Sequence, residues 1–321
     1  NDYNTFSAYL SYKNNLGDDL TMISGIRYNY IDIYSSLDTT AAYYDFPFNQ
    51  MTLNTGALNG SIGLTYRPGK NWQFNLNGST GFRAPNIDDM AKVFDSEPQS
   101  VVMPNQKLEP EYAYNIDLAM IRNFGDAGRV EVTGFHTWVD NAMVRRQATF
   151  NGRDSIWYDG VLSQVHKVMN AQKAQIYGVS LNMQFQLLTG LELTSNLTFT
   201  EGEDDSGNPL RHVAPLFGLT ELEYQRSGWK LAVNARFNGK LSNSELAPSE
   251  QSKTHMYALN EAGEPYSPSW WTLNMKGSYR INDDLSVNAG LENIFDVRYR
   301  PYSSGIAGPG RNFIIALRAH L

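Results

Sequence analysis

The 321-residue sequence contains no cysteine, which removes disulfides, thiolate nucleophiles and cysteine-held metals from consideration. It has no apolar run approaching the roughly twenty residues that cross a bilayer as a helix. That absence leaves open a chain that crosses with strands, because an alternating strand hides its apolar face from any averaged hydropathy. Charge of one sign is not clustered either. The 26 Lys and Arg stand against 33 Asp and Glu, a net charge of -7, which offers nothing to a nucleic-acid backbone. No Ser-His-Asp arrangement, HExxH helix or phosphate-binding glycine loop is sensibly placed, so an enzyme has little support. There is no signal peptide, and Asn1 opens on what reads as strand; the numbering is expected to begin inside a longer precursor.

What the chain has instead is 19 Tyr, 15 Phe and 6 Trp alongside 26 Gly, the mixture that a sheet with one lipid face and one crowded polar face needs. The competing class is a soluble all-β protein. Residues 71–82, NWQFNLNGSTGF, place Trp72, Phe74, Leu76, Gly78, Thr80 and Phe82 on one face and Asn71, Gln73, Asn75, Asn77, Ser79 and Gly81 on the other. Leu231, Val233, Ala235 and Phe237 alternate with Lys230, Asn234, Arg236 and Asn238 in the same way, and Leu285, Val287, Ala289 and Leu291 with Ser286, Asn288, Gly290 and Glu292. The second face is mostly Asn, Gln, Ser, Thr and Gly, which suits a lumen better than bulk water.

The connections separate the two classes. Asn14–Asp18, Pro68–Lys70, Phe124–Gly128, Leu188–Gly190, Arg226–Gly228 and Asn282–Asp284 are short and rich in turn formers. Tyr34–Thr55, Arg83–Glu111, Asp140–Ala171, Gly202–Val213, Leu241–Ser269 and Val297–Pro309 are mostly long, and the two kinds alternate throughout. Short periplasmic turns alternating with long outside loops are the pattern of an outer-membrane barrel. Thirteen strands are expected, at 3–13, 19–33, 56–67, 71–82, 112–123, 129–139, 172–187, 191–201, 214–225, 229–240, 270–281, 285–296 and 310–321. An odd, open sheet leaves unpaired backbone in hydrocarbon, so further strands, from the same precursor or a companion fragment, are expected to complete it.

Three stretches carry a resemblance, the first of them, residues 78–118, holding two motifs. Phe82-Arg83-Ala84-Pro85 ends the fourth strand. The box Pro104-Asn105-Gln106-Lys107-Leu108-Glu109-Pro110-Glu111 opens the next, a variant of Asn-Pro-x-Leu-x-Pro-Glu. Then come Gly290-Leu291-Glu292-Asn293-Ile294-Phe295-Asp296 with Tyr299, and Pro309-Gly310-Arg311-Asn312-Phe313. In this order they resemble the C-terminal barrel portion of a TonB-dependent outer-membrane receptor. The residues themselves suit rim roles: Pro85 bars a continuing ladder, Pro104 and Pro110 frame the return, Gly310 can take a backbone angle closed to other residues, and Asn293 and Asp296 can bond local backbone. The resemblance implies a barrel of about twenty-two strands around a plug, of which residues 1–321 would be the C-terminal portion, with the plug and N-terminal strands elsewhere. It further implies coupling to an inner-membrane energy complex through an absent N-terminal part, contact with outer-membrane lipid and lipopolysaccharide, and room for a surface lipoprotein partner. The family's usual aromatic end is Leu321 here, although Phe313, Ile315, Leu317, Ala319 and Leu321 keep the outward phase.

Receptors of this kind import ferric siderophores, haem, cobalamin or sugars. Haem receptors place an iron-holding histidine between the two boxes, and residues 86–103 contain none, so that residue does not carry over. Met90 and Met103 could ligate iron weakly but read more readily as packing. His136 shares an outward phase with Val130, Val132 and Trp138, and His320 lies at the periplasmic end; His166, His212 and His255 fall in outside loops, His255 within a Thr-His-Met-Tyr cluster that includes Tyr257. Tyr43, Tyr44, Phe46, Phe48, Phe94, Trp157, Tyr158, Trp270 and Trp271, with Arg83, Arg145, Arg146 and Arg153, suit a planar anionic ligand, because rings stack and guanidinium pairs with oxyanions. Trp270 and Trp271 read equally as an aromatic belt. The acidic run from Glu201 to Asn208 could hold Ca²⁺, although its spacing is not that of a calcium loop. No intrinsic cofactor is expected. The leading expectation is active import of an iron-bearing ligand, ferric siderophore or haem. Cobalamin or glycan import, a passive porin and an adhesin or structural barrel stay open.

Overall fold

The computed structural model describes residues 2–36, 46, 48–97 and 99–319. Thus Tyr43, Tyr44, His320 and Leu321 lie outside the described residues. In chain order the strands are β1 (Asp2–Asn15), β2 (Leu20–Ser36), β3 (Gln50–Tyr66), β4 (Trp72–Arg83), β5 (Phe94–Glu97), β6 (Ser100–Met103), β7 (Glu111–Asn123), β8 (Gly128–Gln147) and β9 (Ser155–Tyr158). They continue as β10 (Val161–Leu188), β11 (Leu191–Asp204), β12 (Phe217–Arg226), β13 (Trp229–Asn238), β14 (Ala258–Leu259), β15 (Pro265–Tyr266), β16 (Trp270–Arg280), β17 (Leu285–Glu292) and β18 (Asn312–Ala319). One short helix, α1 (Ile87–Ala91), follows β4. No helix among the described residues is long and apolar enough to cross a membrane.

Thirteen of these strands form one antiparallel meander in the order β1-β2-β3-β4-β7-β8-β10-β11-β12-β13-β16-β17-β18, with β5, β6 and β9 added to its upper part. The sheet is open: among the described residues β1 and β18 each pair on one side. Alternation decides the faces. Trp72 stacks on Phe74 at 5.9 Å, Phe74 on Tyr66 at 6.4 Å and Trp229 on Tyr279 at 4.3 Å, all on the lipid side near the short turns. Arg122 lays its guanidinium over Trp72 at 4.6 Å, keeping its charge at the interface. The opposite face is a hydrogen-bonded polar surface, with Thr137 donating to Asn115 at 2.6 Å and Asn274 to Asn234 at 2.9 Å.

The short turns are set by backbone angles that favour glycine. Ser227 and Gly228 have φ of 47° and 84°, the paired positive angles of a two-residue hairpin turn. Gly190 has φ of 81°, and a Cβ there would meet the Gln225 carbonyl oxygen at 2.3 Å.

Several expected boundaries move. β10 has 28 residues rather than those of 172–187, and β8 runs to Gln147 rather than 139. At roughly 3.3 Å per residue β10 is about 90 Å long, far beyond the roughly ten residues that span hydrocarbon. The upper halves of β8 and β10 therefore form a hairpin standing outside the membrane, with bulges between Asn170 and Ala174 where the two parts meet. β3 begins at Gln50 rather than 56 for the same reason, since its pairing with β2 continues to Ser36. At the other extreme β17 stops at Glu292, because Asn293 turns the chain with φ of 48°.

Candidate functional site

Three groups of side chains organise the outer rim. The first surrounds the end of β4. Arg83 donates to Glu111 at 3.0 Å and to Asp89 at 2.8 Å. Asp89 also accepts from the Asn86 amide at 3.1 Å while Asn86 accepts from the Asp89 amide at 2.8 Å, a reciprocal cap that starts α1. Pro85 is buried beneath this corner. Asn105 donates to the Val168 carbonyl at 2.8 Å, and Asn170 of β10 brackets Glu109 from both sides, at 2.7 Å each. Leu108 packs with Met51 and Met90 in a small core, and Met103 with Val101, Phe150 and Val165 in a second. Both methionines are about 1% exposed, so they pack. Pro110 leads into β7, whose first residue Glu111 also accepts from the Met143 amide. Phe82 meets Tyr112 at 5.7 Å, and Ala84 lies between the strand and Pro85. The residues of this corner serve one another.

The second group stands on the tall hairpin. Arg145 lies over the Phe94 ring at 4.9 Å and Lys92 at 5.7 Å. His166 sits on β10, not in a loop, and its Nδ1 is 3.0 Å from Ser100 Oγ. Arg146 is the register partner of Lys167. Trp157 is 69% exposed on β9 while Tyr158 packs on the core around Phe150. His136 stacks on Trp138 at 4.0 Å lower down, beside Tyr177 at 5.5 Å.

The third group joins the last three long loops through Glu250, which is 0% exposed. Its Oε1 is 3.2 Å from Lys253 Nζ and 2.7 Å from Arg211 Nε, an ion pair rather than an aligned hydrogen bond. Its Oε2 accepts from Ser303 at 3.2 Å and from Tyr257. His212, next to Arg211, has φ of 62°. Burial raises the Tyr302 phenol above its ordinary pKa, so it stays neutral beside this centre. Next to it lies a cavity of about 400 Å³ lined by His255, Tyr257, Trp270, Arg298, Tyr299 and Arg300 among others. Trp270 packs against Tyr299 with ring centroids 4.4 Å apart. Trp270 shares the lumenal phase of Asn274, whereas Trp271 points to lipid and meets Phe295 edge-on at 5.4 Å. One tryptophan of the pair is belt and the other is vestibule.

The remaining motif residues fix the chain beside this cavity. Asn293 takes the Val297 amide at 2.9 Å and donates to the Val297 and Pro309 carbonyls at 2.8 and 3.1 Å. Asp296 accepts from the Arg311 amide at 2.8 Å. Gly310 does not take the positive φ expected of it; what favours glycine there is space, because a Cβ would stand 2.8 Å from the same carboxylate. The acidic run is used locally too: Glu201 accepts from Tyr177 at 2.8 Å, and Asp204 accepts the Ser206 and Asn208 amides at 2.9 Å each. Partial burial opposes the shift, yet those bonds hold the Asp204 carboxyl below its ordinary range. No group of three or more His, Asp or Glu converges as metal ligands among the described residues.

The structure thus brings His255 and Tyr257 together and separates them from Phe94, Arg145, Arg146, Trp157 and His166. Sequence reading passed over Arg298, Arg300, Glu250, Lys253 and Arg211. The Arg-Tyr-Arg run at 298–300 was the available signal for the first two; nothing local marks Glu250, whose partners are up to 53 residues away.

Residues 1–294 match the family described as TonB dependent receptor-like, beta-barrel. The chain is 26% identical over 316 residues to heme/hemopexin utilization protein C of Haemophilus influenzae, covering 92% of this chain and 40% of that protein. It is 23% identical over 250 residues to the iron-regulated outer membrane virulence protein of Vibrio cholerae, covering 74% and 36%. The chain therefore spans about two-fifths of the length of these curated relatives. Among solved structures, the copper transporter OprC superposes with a TM-score of 0.76 at 15% identity, over 99% of this chain and 48% of that one. The siderophore receptor PirA from Acinetobacter baumannii gives 0.72 at 17%, over 99% and 46%.

Proposed function

The chain belongs to the TonB-dependent receptor β-barrel family of the bacterial outer membrane, and from that premise we propose that it is the C-terminal barrel portion of a receptor that actively imports an iron-bearing ligand, ferric siderophore or haem. We read it as a transporter and not an enzyme, because the family it belongs to is one of receptors and the polar residues at the end of β4 are spent on loop architecture rather than converged on a reacting atom. The ligand class is supported by relatives named for haem, hemopexin and haemoglobin use and for iron regulation. The observation that carries it is the vestibule cavity, where arginine, histidine and packed aromatic rings meet on the lumenal side of the outer rim. On this reading the two edges of the sheet continue into further strands, a plug fills the lumen, and an inner-membrane complex supplies the energy.

Calorimetry on the intact receptor tests the proposal. Tight binding of a ferric siderophore or haem, with neither cobalamin nor a glycan bound, is the expected result. Tight binding of cobalamin or a glycan with no affinity for either iron compound would overturn it.

A further inference from the structure

We propose that the cavity between the 239–269 and 293–311 loops is a subsite for an aromatic group bearing an oxyanion on the transported ligand, a proposal that rests on the import reading above. The group's ring would lie against the Trp270–Tyr299 pair and its oxyanion would be met by Arg298 and Arg300.

Four observations carry this. First, the charge is uncompensated: two arginines line the cavity and no carboxylate does. Arg298 is exposed and has no ion pair among the described residues. Arg300 spends one nitrogen on the Met256 and His255 carbonyls, which aims the guanidinium and leaves its other donors available. Second, the aromatic surface is already assembled, with Trp270 and Tyr299 at 4.4 Å and a tilt of 38°. Third, the Trp270 indole N–H is buried with no acceptor among the described residues. A buried donor without a partner is rare, and a ligand oxygen would satisfy it. Fourth, the walls are held in place. Tyr257 and Ser303 both bond the buried Glu250 carboxylate, one on each loop, so the cavity does not have to be ordered by the ligand.

A cavity of about 400 Å³ takes one aromatic acid unit and not a whole ferric complex. The subsite therefore reads an edge of the ligand: a catecholate or benzoate ring of a siderophore, or a carboxylate-bearing edge of a porphyrin. The chemistry is shared, and the probes separate the sources.

The test titrates the intact receptor in detergent with a ferric tris-catecholate, with haem and with a neutral ferric trihydroxamate, reading tryptophan fluorescence. The expected result is that Arg298→Ala and Trp270→Ala each weaken the catecholate or the haem roughly tenfold, about 1.4 kcal/mol, and that Arg298→Lys recovers part of the loss. The hydroxamate should be unaffected. A loss confined to the catecholate or to haem supports the subsite and identifies the acid. Equal losses on all three probes overturn it, since a disturbed fold and not acid recognition would then be responsible. Unchanged affinity in both alanine variants, with the parent binding normally, overturns the subsite and leaves the import reading standing. A parent that binds none of the iron compounds defeats the import reading itself, and the subsite with it.

Discussion

Glu250 shows how much of the outer surface depends on single groups. A fully buried carboxylate costs several kcal/mol unless counter-charges and hydrogen bonds answer it. Here Lys253, 4% exposed, and Arg211 supply the charge, and Tyr257 and Ser303 supply hydroxyls. Glu250→Gln keeps the size and leaves a buried ammonium without this carboxylate. The loops should lose about 3 kcal/mol of local stability, seen as faster trypsin cleavage around Arg211 and Lys253 in the intact receptor. An unaltered digestion rate would show that the centre adds nothing. Glu245 gives a pH effect. Bonds from the Ser242 hydroxyl and amide hold its carboxyl below the ordinary 4.5. A depressed folded pKa means that the contribution is complete above the unfolded value and is lost as pH falls through the folded one. Amides of residues 242–246 should therefore exchange faster as pH drops below 4.5 than base-line chemistry requires, and Glu245→Gln should abolish that excess.

At the scale of elements, hairpins obey two different rules, and this decides what was readable. Inside the bilayer, lipid demands one apolar face and turns demand particular residues, so alternation and the short turns located all thirteen spans. Gly190 illustrates the second demand. With φ of 81° and a carbonyl oxygen 2.3 Å from where a Cβ would stand, Gly190→Ala should cost at least about 1 kcal/mol. A lower urea midpoint for unfolding of the purified receptor measures it, and an unchanged midpoint would mean the turn relaxes freely. Above the bilayer there is no lipid to enforce a period. Val161–Met169 pairs with β6 and β9 rather than crossing a membrane, with Ser163 and Val165 buried, and the stretch reads as loop. The site was legible to the same degree. His255, Tyr257 and Trp270 are chemically conspicuous and stood out. Arg298 and Arg300 acquire meaning from Trp270, which lies about thirty residues earlier in sequence but meets Tyr299 across two loops.

At the scale of the molecule, the consequence of an open sheet is set by hydrogen-bond arithmetic. In an antiparallel strand, alternate residues direct their N–H groups to opposite neighbours. Each of the fourteen residues of β1 is in register with β2, yet that satisfies one edge of the strand. The other edge of β1, and the matching edge of β18, present donors and acceptors that hydrocarbon cannot solvate, at several kcal/mol for each unsatisfied group. On the reading proposed above, further strands lie against both edges. Deuterium exchange on the intact receptor in lipid separates the possibilities residue by residue. If β1 is an interior strand of a closed barrel, its odd and even amides should be protected alike and to the extent seen in β2. If the edge is free, alternate amides from Asp2 to Asn15 should exchange rapidly while their neighbours stay protected, and the closed-barrel reading of this chain's place in the receptor would fall.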